Sequence, residues 1–301
     1  MATVQATSQL GKPTFKTTVR DYVELTKPRI VLLLLFTTLT AMVIAADGIP
    51  DLGVLVATLI GGTLAAAGSS AINQFYDRDM DATMARTSRR PIPSGRIAPT
   101  NALLFGVGLV VWATLILLVF VNPLSALLAL GGALYYVIIY TLLLKRNTVL
   151  NILIGGGAGA MPVLVGWAAV TGVVNFEALI LFAIVFYWTP PHSWALALLV
   201  NADYSRANVP MMPVARGEDV TRRQILLYAI MLLLISVLPS VFGTLSMIYA
   251  LAAVALGVGL IRSSIQLIKL KTGAAARSTY KFSTAYLAFL FMAMILDVIL
   301  L

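Results

Sequence analysis

The sequence contains no cysteine, which excludes disulfides, thiolate metal sites and a cysteine nucleophile. It contains one histidine, His192, so centres built from several histidines are excluded too. Any resident metal must be held by oxygen, which points to magnesium in preference to a transition metal. Charge is also scarce. Only 11% of the 301 residues are Asp, Glu, Lys or Arg, where a soluble domain carries about a quarter. Most of the surface must face something other than water. The first 28 residues lack an early apolar stretch, so no cleavable secretory signal is expected, and Asp21 and Glu24 argue against a mitochondrial presequence.

What the sequence has in abundance is long apolar runs. Windows of roughly 20 residues, the length of one membrane crossing, occur at 29–46, 52–74, 102–121, 124–144, 149–171, 177–200, 224–243, 246–268 and 283–301. The expected fold is all-α and polytopic: a cytoplasmic arm over 1–28 and a nine-helix transmembrane domain over 29–301. In a soluble protein the net charge of +9 would suggest nucleic acid. Here the distribution gives another reason. The connections 47–50, 121–123, 171–176 and 242–244 hold no basic residue, and all 21 Lys and Arg fall on the opposite side. The positive-inside rule then predicts a cytoplasmic N-terminus and an external C-terminus, with the bilayer as partner and no nucleic acid. A bacterial plasma membrane fits best.

The informative polar stretch runs from Asn73 to Pro91. Asn73, Asp77 and Asp81 are four apart, a spacing that lines one helix face over two turns. Asp79 points elsewhere, to solvent or to an arginine. Like charges at i and i+4 destabilise a helix unless something positive lies between them, and a magnesium ion bound by these oxygens keeps positions open for phosphate. Arg86, Arg89 and Arg90 follow with guanidinium forks suited to phosphate. Together they describe a diphosphate site at a helix end. A thinner cluster, Asp203 to Asn208, lies on the same side after the sixth span, where a carboxylate could complete a two-metal clamp.

His192 sits inside the sixth span within Tyr187-Trp188-Thr189-Pro190-Pro191-His192-Ser193-Trp194. A polar ring at that depth faces the bundle interior, and the paired prolines are expected to kink the helix. On an unbroken helix His192 and Asp203 share a face about 16 Å apart in depth. The imidazole can ligate haem iron, act as a base or satisfy a carbonyl.

Several of these stretches resemble the intramembrane UbiA prenyltransferase superfamily. Asn73 to Asp81 with Arg86, Arg89 and Arg90 is similar to its first aspartate motif. Lys145-Arg146, Asn151 and the run Ile154 to Pro162 resemble its fourth-to-fifth connection. Leu25 to Arg29, Gly166 to Gly172, Pro191 to Leu196, and Asp203-Tyr204 leading to Pro210–Val214 resemble its haem-modifying branch. The superfamily's second motif is commonly Asp-x-x-x-Asp. Here Ala207 stands four after Asp203, a departure expected of that branch.

The resemblance implies nine helices around a central cavity open sideways to lipid. It implies transfer of the farnesyl group of farnesyl diphosphate to a vinyl group of haem b with addition of water, giving haem O and diphosphate. Magnesium would be held by Asn73, Asp77 and Asp81 with help from Asp203. Arg86, Arg89, Arg90, Lys145 and Arg146 would neutralise the diphosphate, and Tyr140 or Tyr76 would steady the allylic cation. His192 and Trp188 would contact haem, with Arg206 and Arg216 on its propionates. A haem A synthase or terminal-oxidase assembly proteins are the implied partners. The competing readings are a prenyltransferase acting on a quinone precursor, a haem chaperone, and a secondary transporter, for which Asp297 in the last span is the supporting acid.

Overall fold

The computed structural model describes residues 14–301; residues 1–13, including Lys12 of the expected arm, lie outside the described residues. Among the described residues every regular element is a helix. In chain order these are α1 (Phe15–Leu25), α2 (Pro28–Ala45), α3 (Leu52–Tyr76), α4 (Arg78–Thr83), α5 (Pro99–Phe120), α6 (Pro123–Leu134, running on as a π-helix over Tyr135–Leu144), α7 (Asn151–Thr171), α8 (Phe176–Leu199), α9 (Asn201–Arg206), α10 (Met212–Arg216), α11 (Glu218–Ser236), α12 (Leu238–Val241), α13 (Met247–Leu270) and α14 (Gly273–Leu300). Nine segments among them are long and apolar enough to cross a membrane, counting α11 with α12 as one.

The expected spans are found, and the differences lie at their ends. The third begins at Pro99 and the seventh at Glu218, earlier than the apolar windows. The ninth begins at Gly273, ten residues before the window at 283. Its 28 residues extend to about 42 Å, well beyond a hydrocarbon core of about 30 Å. The first turns therefore stand clear of the acyl region, where exposed Arg277 and Lys281 do not interrupt a helix.

Consecutive spans neighbour one another, and α14 returns against α2 to close the bundle. Without a hydrophobic drive between helices in lipid, close approach depends on small residues. The α3–α5 pair shows this. A Cβ on Gly68 would lie 2.5 Å from the Gly106 carbonyl, and one on Gly106 would lie 2.8 Å from the Gly68 carbonyl. Either substitution would force the two backbones apart.

The basic connections share one end of the bundle: Arg146 reaches Asp79, the Ala85 amide reaches Asp203, and Lys271 reaches Asp219. Met80, Met84, Trp194, Tyr204, Val209 and Met211 pack together there and close that end. The described part of the arm joins it. α1 is held by ion pairs from Arg96 to Asp21 and Glu24, and Tyr22 packs edge-on against Phe105 at 4.9 Å. Its outer stripe, Phe15, Val19 and Val23, is exposed at helical spacing, as suits an interfacial helix.

Asp297 belongs to the opposite end. One carboxylate oxygen accepts from the Ser246 amide at 2.7 Å and the other from the Ser246 hydroxyl. Ser246 is the N-cap of α13, so Asp297 secures a helix start.

Candidate active site at the basic end of the bundle

The single helix expected through Asn73, Asp77 and Asp81 is two helices. α3 stops at Tyr76, Asp77 sits at the junction, and α4 follows. The helical hydrogen bonds nevertheless continue: the Asp77 amide donates to the Asn73 carbonyl at 2.9 Å and the Asp81 amide to the Asp77 carbonyl at 2.7 Å. The four-residue register survives, and all three side chains are buried.

Cations converge on this row from three separate stretches of chain. Lys145 pairs with Asp77 Oδ2, and Arg90 donates to Asp81 Oδ2 at 2.7 Å. Lys27 donates to Asn73 Oδ1 at 3.1 Å, while the Asn73 amide donates to Asp77 Oδ2 at 2.7 Å and to Thr141 Oγ1 at 3.0 Å. Arg146 grips Asp79 through two bonds of 2.7 Å and stands 3.9 Å from Asp77 Oδ1. Hydrogen bonding from Arg146 holds the Asp79 carboxyl down at about 2. Burial, reinforced by Arg90 and Lys145, pulls the Lys27 ammonium down to about 7. The site is rich in positive charge that lacks a full complement of anions.

Local backbone explains how the cations arrive. Lys27 adopts the left-handed region (φ 50°, ψ 60°), turning the chain between α1 and α2 just before Pro28. The π-helix shifts the register before Lys145, whose amide bonds the Tyr140 carbonyl five residues back at 2.8 Å. The same stretch turns Thr141 toward Asn73 and stacks Tyr136 on Tyr140 at 5.4 Å. A Cβ on Gly155 would overlap the Tyr140 ring, so the glycine-rich start of α7 makes room for it.

The other predicted residues lie further out. Asp203 accepts from the Ala85 amide at 3.4 Å and pairs with Arg206 at 3.3 Å, at the rim beside the loop after α4. Arg86 and Arg89 are exposed on that loop, and the Arg89 carbonyl is tied to Arg96 at 2.7 Å. Arg216 is exposed at the end of α10. Tyr76 stacks edge-on with Phe75 at 5.2 Å and is partly exposed.

His192 lies apart from the carboxylates. The continuous helix expected from His192 to Asp203 is interrupted at Val200 (φ −119°, ψ 27°), where α8 gives way to α9. α8 itself runs through both prolines. The imidazole stacks on Trp188 at 4.3 Å and lies 4.7 Å from Tyr280. Its Nδ1 is 3.0 Å from Ser283 Oγ, and Trp188 Nε1 donates to the Ser283 carbonyl at 2.6 Å.

An apolar cavity of about 190 Å³ opens beside the polar row. It starts at Lys27 and Tyr136 and runs past Leu34, Gly62 and Ala129 to Thr38 and Val165. The eleven residues from Lys27 to Thr38 correspond to a depth of about 16 Å. Three participants escaped sequence reasoning: Lys27 as a ligand of Asn73, Thr141 and Ser283. A small polar residue in an apolar helix was the only signal for the last two.

The donor set can be tested against magnesium. Asp77 is fully buried, yet its Oδ1 has no hydrogen-bond partner. A buried carboxylate oxygen left bare among oxygen donors suits a hard cation. Among the described residues no three Asp, Glu or His side chains form a ready-made cage.

Among the described residues a closed bundle of nine membrane-length helices sets a cation-rich acidic row close to an apolar slot. The pattern of the UbiA prenyltransferase family matches residues 34–295, and the chain belongs to that family. A protein named Protoheme IX farnesyltransferase from Symbiobacterium thermophilum is 52% identical, over 93% of this chain and 94% of that one. A protein of the same name from Chloroflexus aurantiacus is 50% identical over 95% of this chain, which spans 49% of that relative's length. Several other relatives are likewise matched over about half their length. Among solved structures, one of a digeranylgeranylglyceryl phosphate synthase superposes with a TM-score of 0.78 at 19% identity, covering 94% of this chain and 99% of that one. A UbiA homolog from Archaeoglobus fulgidus bound to DMAPP and Mg2+ gives 0.64 at 15% identity, covering 91% and 99%. At these identities the structures establish the fold.

Proposed function

We propose that this chain is a magnesium-dependent intramembrane farnesyltransferase that converts haem b to haem O, the activity for which its curated relatives are named. One observation carries the reading. The polar row that holds a half-paired buried carboxylate among cations is joined through Lys27 to an apolar slot whose depth is comparable with an extended farnesyl chain. A diphosphate head needs the first and an isoprenoid tail the second.

Lys27, Arg90, Lys145 and Arg146 bind the diphosphate, and Arg86 and Arg89 add guanidinium forks from the exposed loop. Asn73, Asp77 and Asp81, with Asp203 at the rim, would hold magnesium, which when bound supplies further positive charge against the diphosphate oxygens. As the C1–O bond breaks, both its electrons leave with the diphosphate, and the fixed cations stabilise that developing charge. The stacked rings of Tyr136 and Tyr140 offer π-faces to the allylic cation. A haem vinyl carbon forms the new carbon–carbon bond. The cation left on the adjacent carbon takes up water, which releases one proton.

His192 and Trp188 contact the haem, and Arg206 and Arg216 take its propionates. By the positive-inside rule the basic end faces the cytoplasm of a bacterial plasma membrane. A haem A synthase or terminal-oxidase assembly proteins would receive the product.

The test is incubation of purified protein in detergent with haem b, farnesyl diphosphate and magnesium, then mass analysis of extracted haem. The expected product is heavier by one farnesyl and one hydroxyl group and is absent with EDTA. Unmodified haem alongside a prenylated quinone precursor would overturn the acceptor assignment.

A further inference from the structure

His192 is the only histidine of the chain, and its surroundings decide which of its nitrogens is free. Nδ1 lies 3.0 Å from Ser283 Oγ. That hydroxyl has one proton to give, and it is also 2.8 Å from the Tyr280 carbonyl, which can only accept. With the hydroxyl proton on the carbonyl, Oγ must accept from the imidazole. The ring proton then sits on Nδ1, and Nε2 keeps its lone pair. The opposite tautomer breaks the bond to Tyr280 and leaves an Nε2–H donor with no partner among the described residues.

Ser283 is well placed to impose this choice. It is fully buried, and its carbonyl also accepts the Trp188 indole proton at 2.6 Å. One residue of α14 thus anchors both aromatic partners on α8. Nε2 makes no hydrogen bond among the described residues and is not fully enclosed, so its lone pair is unclaimed.

We infer that Ser283 is a positioning residue that locks His192 in the Nδ1–H form and presents Nε2 as a ready electron-pair donor to haem iron. The identity of the acceptor rests on the function proposed above; the tautomer does not. A hydrogen bond to the far nitrogen orients an imidazole ligand and raises its basicity, and losing such a partner commonly costs about 10- to 100-fold in metal affinity.

Two measurements on the full chain separate the two claims. With a single histidine, ¹⁵N-histidine labelling gives an imidazole spectrum belonging to His192 alone, with no haem present. The expected wild-type spectrum shows a protonated Nδ1 and a bare Nε2. Ser283→Ala shifts it toward the Nε2–H form that free histidine favours, and Ser283→Thr restores it. A wild-type Nε2–H spectrum, or one unchanged in a folded Ser283→Ala, overturns the inference. Titration with haem b is then followed by the Soret band. His192→Ala should abolish the histidine-ligated spectrum, and Ser283→Ala should weaken binding about 10-fold. If His192→Ala leaves the spectrum intact, the haem contact fails while the tautomer assignment stands on the NMR result. If His192→Ala removes the ligand and Ser283→Ala binds like wild type, the positioning role fails.

Discussion

Asp77 and Asp297 are both buried carboxylates in an apolar bundle, and their partners differ completely. Asp297 is satisfied by one residue: both oxygens accept from Ser246, and the pair fastens the start of α13. Asp77 is contacted by Asn73, Lys145 and more distantly Arg146, yet Oδ1 remains without a hydrogen bond. An acid near lipid is costly in either place. At one end the cost is offset by a closed hydrogen-bond pair that leaves nothing to bind. At the other it is offset by an excess of cations that does.

This contrast can be broken most forcefully at Asp77. Asp77→Asn should lower turnover by about 10²-fold or more, the effect of removing one pre-organised charge from a reacting site, and should also cost stability because Lys145 loses its buried partner. Asp297→Asn should separate the two effects. It should keep turnover near wild type and lose about 1–3 kcal/mol of stability, because a buried donor of Ser246 is left unsatisfied. A thermal shift in detergent beside the haem assay reads both.

The next effect is at Lys145. Lys145→Met leaves Asp77 without its nearest cation, and breaking a buried pair costs about 3–5 kcal/mol. In the proposed mechanism Lys145 also binds the diphosphate, so KM for farnesyl diphosphate should rise together with that destabilisation. Asp77→Asn/Lys145→Met should recover part of the stability and none of the activity. A double mutant as unstable as Lys145→Met alone would show that the pair is not the seat of the loss.

The smallest effect is expected at Asp79, which is exposed although its bond to Arg146 is well formed. Exposed pairs contribute about 1 kcal/mol or less. Its carboxyl is depressed from 3.8 to about 2, so the stabilisation is present above the ordinary value and is lost as pH falls through about 2. Asp79→Asn should therefore be slightly less stable than wild type at neutral pH. The difference should shrink as pH falls through that window.

Much of this arrangement was legible in the sequence because bilayer physics leaves few options. Nine apolar windows could only be spans, and the asymmetry of the basic residues separated the two ends. The register of Asn73, Asp77 and Asp81 also survived, although the helix through them is broken after Tyr76. Helix ends were harder to read. Arg277 and Lys281 suggested a loop before the last span, yet α14 runs through them because its length exceeds the hydrocarbon core. Thr141 was hidden for a different reason: it reaches Asn73 only because α6 winds into a π-helix, which no apolar periodicity announces. Lys27 depends on a left-handed turn, and Ser283 on a neighbour 91 residues away. Asp297 had no settled reading on sequence alone, since its capping partner Ser246 lies 51 residues away.

The most direct test of the contrast is a parallel haem assay on wild type, Asp77→Asn and Asp297→Asn, each shown to be folded before use. Wild type and Asp297→Asn should both yield haem heavier by one farnesyl and one hydroxyl group, while Asp77→Asn yields at least about 10²-fold less. Wild-type conversion by Asp77→Asn would contradict the account, because the carboxylate left bare in the bundle would then not be the one that works.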